Sequence, residues 1–227
     1  MKIKNKLAVF LTALLVSFSS SAFAFEGFSI GATYSNIDYS TTGSERTNGV
    51  DGSGAAAVIS ATTTKTGSDD IGSIFAEYTF SQGSTIGIES ISGEAEIGKA
   101  SRTSSTPSGT VTVKAVASDP ITLYVEPTWM MNDKFGVYLK GGVTEVTVTP
   151  TITDAGNVTD STYTSKDLYG FMTGVGAKFY VGNFFVKAEY VETDFSKYAH
   201  TSTTGEGNTV TADIDTEETR LSIGYNF

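Results

Sequence analysis

A period of two recurs eight times along this chain, and little else constrains its fold so strongly. The last stretch, RLSIGYNF, shows the pattern. Leu221, Ile223, Tyr225 and Phe227 are apolar; Arg220, Ser222, Gly224 and Asn226 are polar or small. Such alternation marks strands with two unlike faces. It predicts strands over residues 27–39, 70–80, 85–98, 113–130, 135–149, 168–181, 184–195 and 216–227. Three connections are short: 81–84, 131–134 and 182–183. Four are long, at roughly 40–69, 99–112, 150–167 and 196–215, and rich in Thr, Ser, Gly and Asp. Short and long connections alternate strictly. Antiparallel strands then gather every short turn at one end and every long loop at the other.

The two faces differ in kind. One is apolar. The other carries Glu77, Glu89, Glu126, Lys140, Lys178, Lys187, Glu189 and Arg220, four carboxylates against four cations. A secreted β-sandwich would turn this charged face to water and bury the apolar one. A barrel in lipid reverses the two roles. The aromatics favour the barrel. Phe28, Phe80, Trp129, Phe135, Phe179, Phe184 and Phe227 fall at the short-turn end on the apolar parity. Rings collect at a membrane–water boundary, whereas a sandwich core spreads its largest residues through the middle. The expected fold is all-β: an eight-stranded antiparallel up-and-down transmembrane β-barrel. Pro120 and Pro127 fall within the fourth strand, where each removes a ladder hydrogen bond, so a bulge is expected near one of them.

The N-terminus opens with Lys2, Lys4 and Lys6, continues with a short apolar run and reaches Ala22-Phe23-Ala24. This is the pattern of a cleaved secretory signal peptide. Residues 1–24 are therefore read as signal peptide and 25–227 as the barrel domain. No later run is long and apolar enough for a transmembrane helix. The net charge is −10, with no basic patch to neutralise phosphates, so nucleic acid is not an expected partner. The absence of Cys excludes disulfide staples and thiolate metal sites.

The C-terminal stretch resembles the assembly signal of bacterial outer-membrane proteins, a terminal aromatic preceded by apolar residues at every second position. Leu221, Ile223, Tyr225 and Phe227 fit it. That resemblance implies that the barrel-assembly machinery reads this strand. The segment GVGAKFYVGNFFVKAEYVETDF, Gly174 to Phe195, is similar to the OmpA/OmpX/opacity-type family of eight-stranded outer-membrane barrels in Gram-negative bacteria. The resemblance implies an outer-membrane location, contact with outer-membrane lipid and surface-exposed loops. It implies no peptidoglycan-binding domain of the OmpA kind, since the sequence stops at Phe227.

An eight-stranded barrel is about wide enough for its own side chains to fill. Inward acids and bases are expected to pair, giving a plugged lumen rather than a porin-like channel for small solutes. Some barrel lipid hydrolases use a His-x-Ser pair and an acid, and His200, Ser202 and Glu206 match superficially. A solvated loop histidine is the preferred reading, so no enzyme activity and no catalytic residue are assigned. The acidic pairs Asp69-Asp70 and Glu217-Glu218 are read as solubilising charges, not metal ligands. No cofactor is expected, and the barrel is expected to be a monomer. The expected role is in envelope structure, surface interaction through the extracellular loops, or both, with no ligand identified.

Overall fold

The computed structural model describes residues 26–46, 62–105, 108–156, 164–201 and 209–227. Eleven strands occupy these residues: β1 (Gly27–Arg46), β2 (Thr63–Thr79), β3 (Thr85–Ser92), β4 (Glu94–Ser105), β5 (Ser108–Glu126), β6 (Thr128–Met130), β7 (Phe135–Gly156), β8 (Lys166–Val181), β9 (Phe184–Phe195), β10 (Tyr198–Thr201) and β11 (Thr209–Asn226). They form eight staves of one antiparallel sheet. β3 and β4 share a stave, as do β5 and β6, and β9 and β10. The sheet closes where β1 pairs with β11, from Ser29 opposite Asn226 to Arg46 opposite Thr209. The fold is a closed eight-stranded antiparallel β-barrel, and the sandwich alternative is excluded.

Short turns close one end. Phe80 N donates to Ser84 O at 2.8 Å, and Gly83 takes a positive φ of 89°. Asn132 Oδ1 accepts from the backbone N–H of Lys134 and Phe135, both at 2.9 Å. Gly182 supplies the positive φ of the two-residue turn between β8 and β9.

Both prolines are accommodated in the wall. The β5–β7 register slips between Ser118 and Ile121, so Asp119 and Pro120 together oppose Val146. Asp119 takes a φ of 52° there. This bulge absorbs the N–H that Pro120 lacks. Pro127 instead interrupts the strand without shifting it. Val125 still faces Gly141 and Thr128 faces Tyr138, and Leu139 N donates to Pro127 O at 3.2 Å.

The staves run further than alternation suggested. β1 continues to Arg46, β2 begins at Thr63, β7 reaches Gly156 and β11 begins at Thr209. Much of what the sequence marked as long connection is paired strand; residues 47–61, 106–107, 157–163 and 202–208 lie outside the described residues. The cause is an inversion of polarity along the wall. In the lower part Ile30, Ile74, Ile88, Leu123, Val175, Leu221 and Ile223 face outward and are exposed. Above it, apolar residues turn inward instead. Ile97, Val146, Val148, Leu168, Tyr198 and Ile214 form a buried cluster inside the barrel. The outward positions there are acidic or polar, including Asp38, Asp167, Glu192, Asp213 and Glu217. The lower wall is built for hydrocarbon and the upper wall for water.

Candidate functional site in the barrel lumen

The eight charged residues singled out from the sequence all lie inside the barrel, none more than 5% exposed. Each sits on the inward parity of its strand, so one alternation places the greasy exterior and the charged interior together. Glu126 on β5 is fully buried and is the hub. Its carboxylate accepts from Lys178 Nζ at 3.0 Å and from Lys187 Nζ at 3.1 Å, with Lys140 Nζ at 3.5 Å. Lys178 and Lys187 stand directly opposite on β8 and β9. Like charges in that relation repel, and Glu126 resolves the repulsion by bonding both.

The network extends to either side. Lys187 also binds Glu77, which accepts from Tyr124 Oη at 2.9 Å. Lys140 binds Glu189 at 2.9 Å and lies 4.0 Å from Glu89. Arg220 pairs with Glu89, which also accepts from Ser73 Oγ. Arg220 Nε lies 3.7 Å from Glu189. Lys178 adds Thr85 Oγ1 at 3.1 Å.

Aromatic rings complete the packing around the cations. Lys140 Nζ lies 4.0 Å from the Tyr124 ring centre, Lys187 Nζ 4.9 Å from Phe75 and Lys178 Nζ 5.0 Å from Tyr138. These contacts are attractive because a ring face is electron-rich. Glycines make room for the rings. Gly31, Gly87, Gly176 and Gly224 stand directly across from Phe75, Tyr124, Tyr138 and Phe185. A β-carbon at any of the four would overlap the facing ring. At the short-turn end Phe75, Tyr180 and Phe185 pack together, with Met130 against them. The lumen thus has three tiers: an aromatic floor, a charged middle and an apolar upper chamber.

One buried charge escaped the sequence reading. On the sequence, Glu217 and Glu218 point to opposite faces of a strand, and both read as solubilising charges. The wall separates them: Glu217 is exposed, while Glu218 points inward and is 6% exposed.

An aromatic row lies at the short-turn end of the wall. Phe28, Phe80, Phe179, Phe184 and Phe227 are exposed; Trp129 and Phe135 are half-buried. Tyr78 and Tyr225 join the row, with ring contacts of Phe28–Tyr78 at 5.0 Å and Tyr225–Phe227 at 5.2 Å. A second row was missed. Tyr34, Tyr169 and Tyr190 face outward at the upper limit of the apolar belt. Tyr190 Oη donates to Glu217 at 2.9 Å, the Tyr34 hydroxyl bonds Asp70 diagonally across β1 and β2, and Tyr169 stands opposite Glu145. Their rings suit the apolar layer and their hydroxyls the water above it.

His200 lies in β10, opposite Val210 of β11. Ser202 and Glu206 lie outside the described residues. Among the described residues no His/Cys/Asp/Glu group is arranged to hold a metal ion.

A closed barrel with an apolar outer belt between two aromatic rows and an ion-paired interior defines an integral outer-membrane β-barrel protein. Residues 10–227 match the outer membrane protein beta-barrel domain, and the chain belongs to that family. No curated protein matches the chain. Among solved structures it is similar to the outer-membrane protein AlkL in lipid bilayers, at 17% identity over 92% of this chain and 93% of that one, with a TM-score of 0.47. It is also similar to OprG from Pseudomonas aeruginosa, at 13% identity over 92% and 99%, TM-score 0.44. Neisserial surface protein A is similar at 10% identity over 87% and 99%, TM-score 0.42.

Proposed function

We propose that this outer-membrane barrel is a plugged scaffold whose work is done at its extracellular end, in envelope structure and surface interaction, rather than a solute channel or an enzyme. The observation that carries this reading is the set of ion pairs centred on Glu126. It joins β5, β7, β8 and β9 across the lumen, and Arg220 of β11 extends it to Glu89 of β3. Passage of a solute requires these pairs to part. Removing one partner of a buried pair costs about 3–5 kcal/mol.

The reading includes export by cleavage after Ala24, assembly through Leu221, Ile223, Tyr225 and Phe227, and a monomeric barrel. The extracellular end offers an acidic, hydroxyl-rich surface, which suits polar rather than apolar partners. Planar-bilayer recording of the purified protein tests the plug. The expected result is no steady single-channel current. Large, stable currents from the unmodified protein would overturn the reading. Replacement of residues 47–61 and 202–208 by short turns, followed by cell-binding and envelope-integrity assays, separates surface interaction from a purely structural role.

A further inference from the structure

The ion-paired middle tier leaves one charge over. Among the described residues five carboxylates are buried in the lumen, Glu77, Glu89, Glu126, Glu189 and Glu218, against four cations, Lys140, Lys178, Lys187 and Arg220. The surplus falls at the top of the tier. Glu218 Oε2 has no hydrogen-bond partner, and its nearest cation is Arg220 Nε at 3.9 Å. Arg220 is hydrogen-bonded to Glu89 and lies 3.7 Å from Glu189, and its Nε makes no hydrogen bond to Glu218 or to Glu189.

Directly above lies a cavity of about 360 Å³. Its volume falls within the range of small-molecule sites. Apolar side chains supply much of its wall, among them Ile97, Val146, Val148, Met172, Phe195 and Ile214. Among the described residues the charged ones around it are Asp69, Asp70, Glu89, Glu94, Glu218 and Arg220, with Arg220 the single cation. Asp70 turns its carboxylate outward to Asn36, so the negative floor is made by Glu89 and Glu218. The wall has a gap beside the cavity. β2 pairs with β3 only as far as Gly72 opposite Ser92, and β4 pairs with β5, not β2. Asp69, Gly72, Gly93 and Glu94 line the cavity on this side.

We infer that this upper chamber is a binding site for a small amphipathic cation, an organic ammonium with an apolar body. The ammonium bonds Glu218 Oε2 and balances the unmatched carboxylate. The apolar body lies against Val146, Met172 and Ile214. An anionic ligand of the same shape is repelled by Glu89 and Glu218, and the guanidinium of Arg220 is bound to Glu89. This goes beyond the plugged-scaffold reading, which concerns passage through the middle tier, and a conducting barrel leaves the binding test intact.

Three probes share one apolar body and differ only in charge: cyclohexylammonium, cyclohexanol and cyclohexanecarboxylate. Calorimetric titration of the full mature chain in lipid nanodiscs, with empty nanodiscs as blank, measures each. Cyclohexylammonium is expected to bind saturably and at least about tenfold more tightly than cyclohexanol, with the carboxylate weakest. Glu218→Gln is expected to weaken the ammonium about tenfold or more and to leave cyclohexanol unchanged. Val146→Trp, which fills the chamber, is expected to abolish both. Retained heat-dependent mobility shifts identify variants that still fold; should Glu218→Gln fail to fold, the order of the probes on the unmodified protein decides. Equal binding of ammonium and alcohol, tightest binding of the carboxylate, no saturable binding, or an ammonium affinity unmoved in folded Glu218→Gln would each overturn the inference.

Discussion

Lys178 on β8 and Glu126 on β5 meet across the barrel, with Nζ 3.0 Å from Oε2 and neither side chain exposed. Lys187 and Lys140 also have Glu77 and Glu189, but the other contacts of Lys178, Thr85 Oγ1 and the Tyr138 ring, carry no counter-charge. Glu126→Gln is therefore expected to destabilise the barrel by about 3–5 kcal/mol. Adding Lys178→Met removes the stranded charge and is expected to recover at least about 1 kcal/mol. Urea unfolding in vesicles, followed by loss of the compact electrophoretic form, measures both. A double variant no more stable than Glu126→Gln alone would show that this substitution does not leave Lys178 as a stranded charge.

The glycines beneath the inward rings make a sharper steric prediction. Gly176→Val forces a side chain into the Tyr138 ring and is expected to cost about 1–3 kcal/mol. Gly72→Ala meets nothing within 4 Å and is expected to stay within about 0.5 kcal/mol of the parent. Equal effects at the two positions would mean that the rings do not lie over the glycines.

The inversion of polarity along β11 is testable by moving one charge up the wall. Leu221→Arg puts a guanidinium in the apolar belt and is expected to cost about 2–4 kcal/mol. Glu192→Arg, an exposed position above the Tyr190 row, is expected to be nearly neutral, within about 0.5 kcal/mol. Folding yields in bilayers of defined thickness provide the comparison. If the two arginines behave alike, the boundary has been drawn at the wrong height.

Phe227 closes the lower aromatic row and is 70% exposed. Its deletion is expected to lower the amount of barrel reaching the outer membrane severalfold and to leave material in the periplasm, while Phe227→Tyr is expected to be tolerated. Fractionation with immunodetection reads the outcome. Unchanged outer-membrane levels after deletion would remove Phe227 from the proposed assembly signal.

The membrane-spanning part of the wall could be read from the sequence because one physical demand repeats there. Every second residue must suit hydrocarbon, so Ile223 and Leu221 alternate with Ser222 and Arg220 whatever else the strand does. Above the tyrosine row that demand ends. The backbone ladder continues, as in Thr41 opposite Ile214, but outward residues need only be soluble. Thr, Ser, Gly and Asp then look like loop. Lumen positions followed from parity alone, yet partnership did not. Nothing local to Lys178 indicates that Glu126, 52 positions earlier, is its counter-ion, since that contact depends on the stagger of all the strands between. Glu218 shares the parity of Arg220 and points away from Glu217, but parity alone does not say whether an acid near a strand end lies in the lumen or in water above it.

The seam between β1 and β11 joins Ser29 to Asn226, nearly the whole chain apart. Contacts so distant in sequence form late. Until they form, two free edges expose a row of bare amide and carbonyl groups, which hydrocarbon cannot satisfy. A half-made cylinder has no stable home in the bilayer, so zipping of this seam and entry into lipid must proceed together.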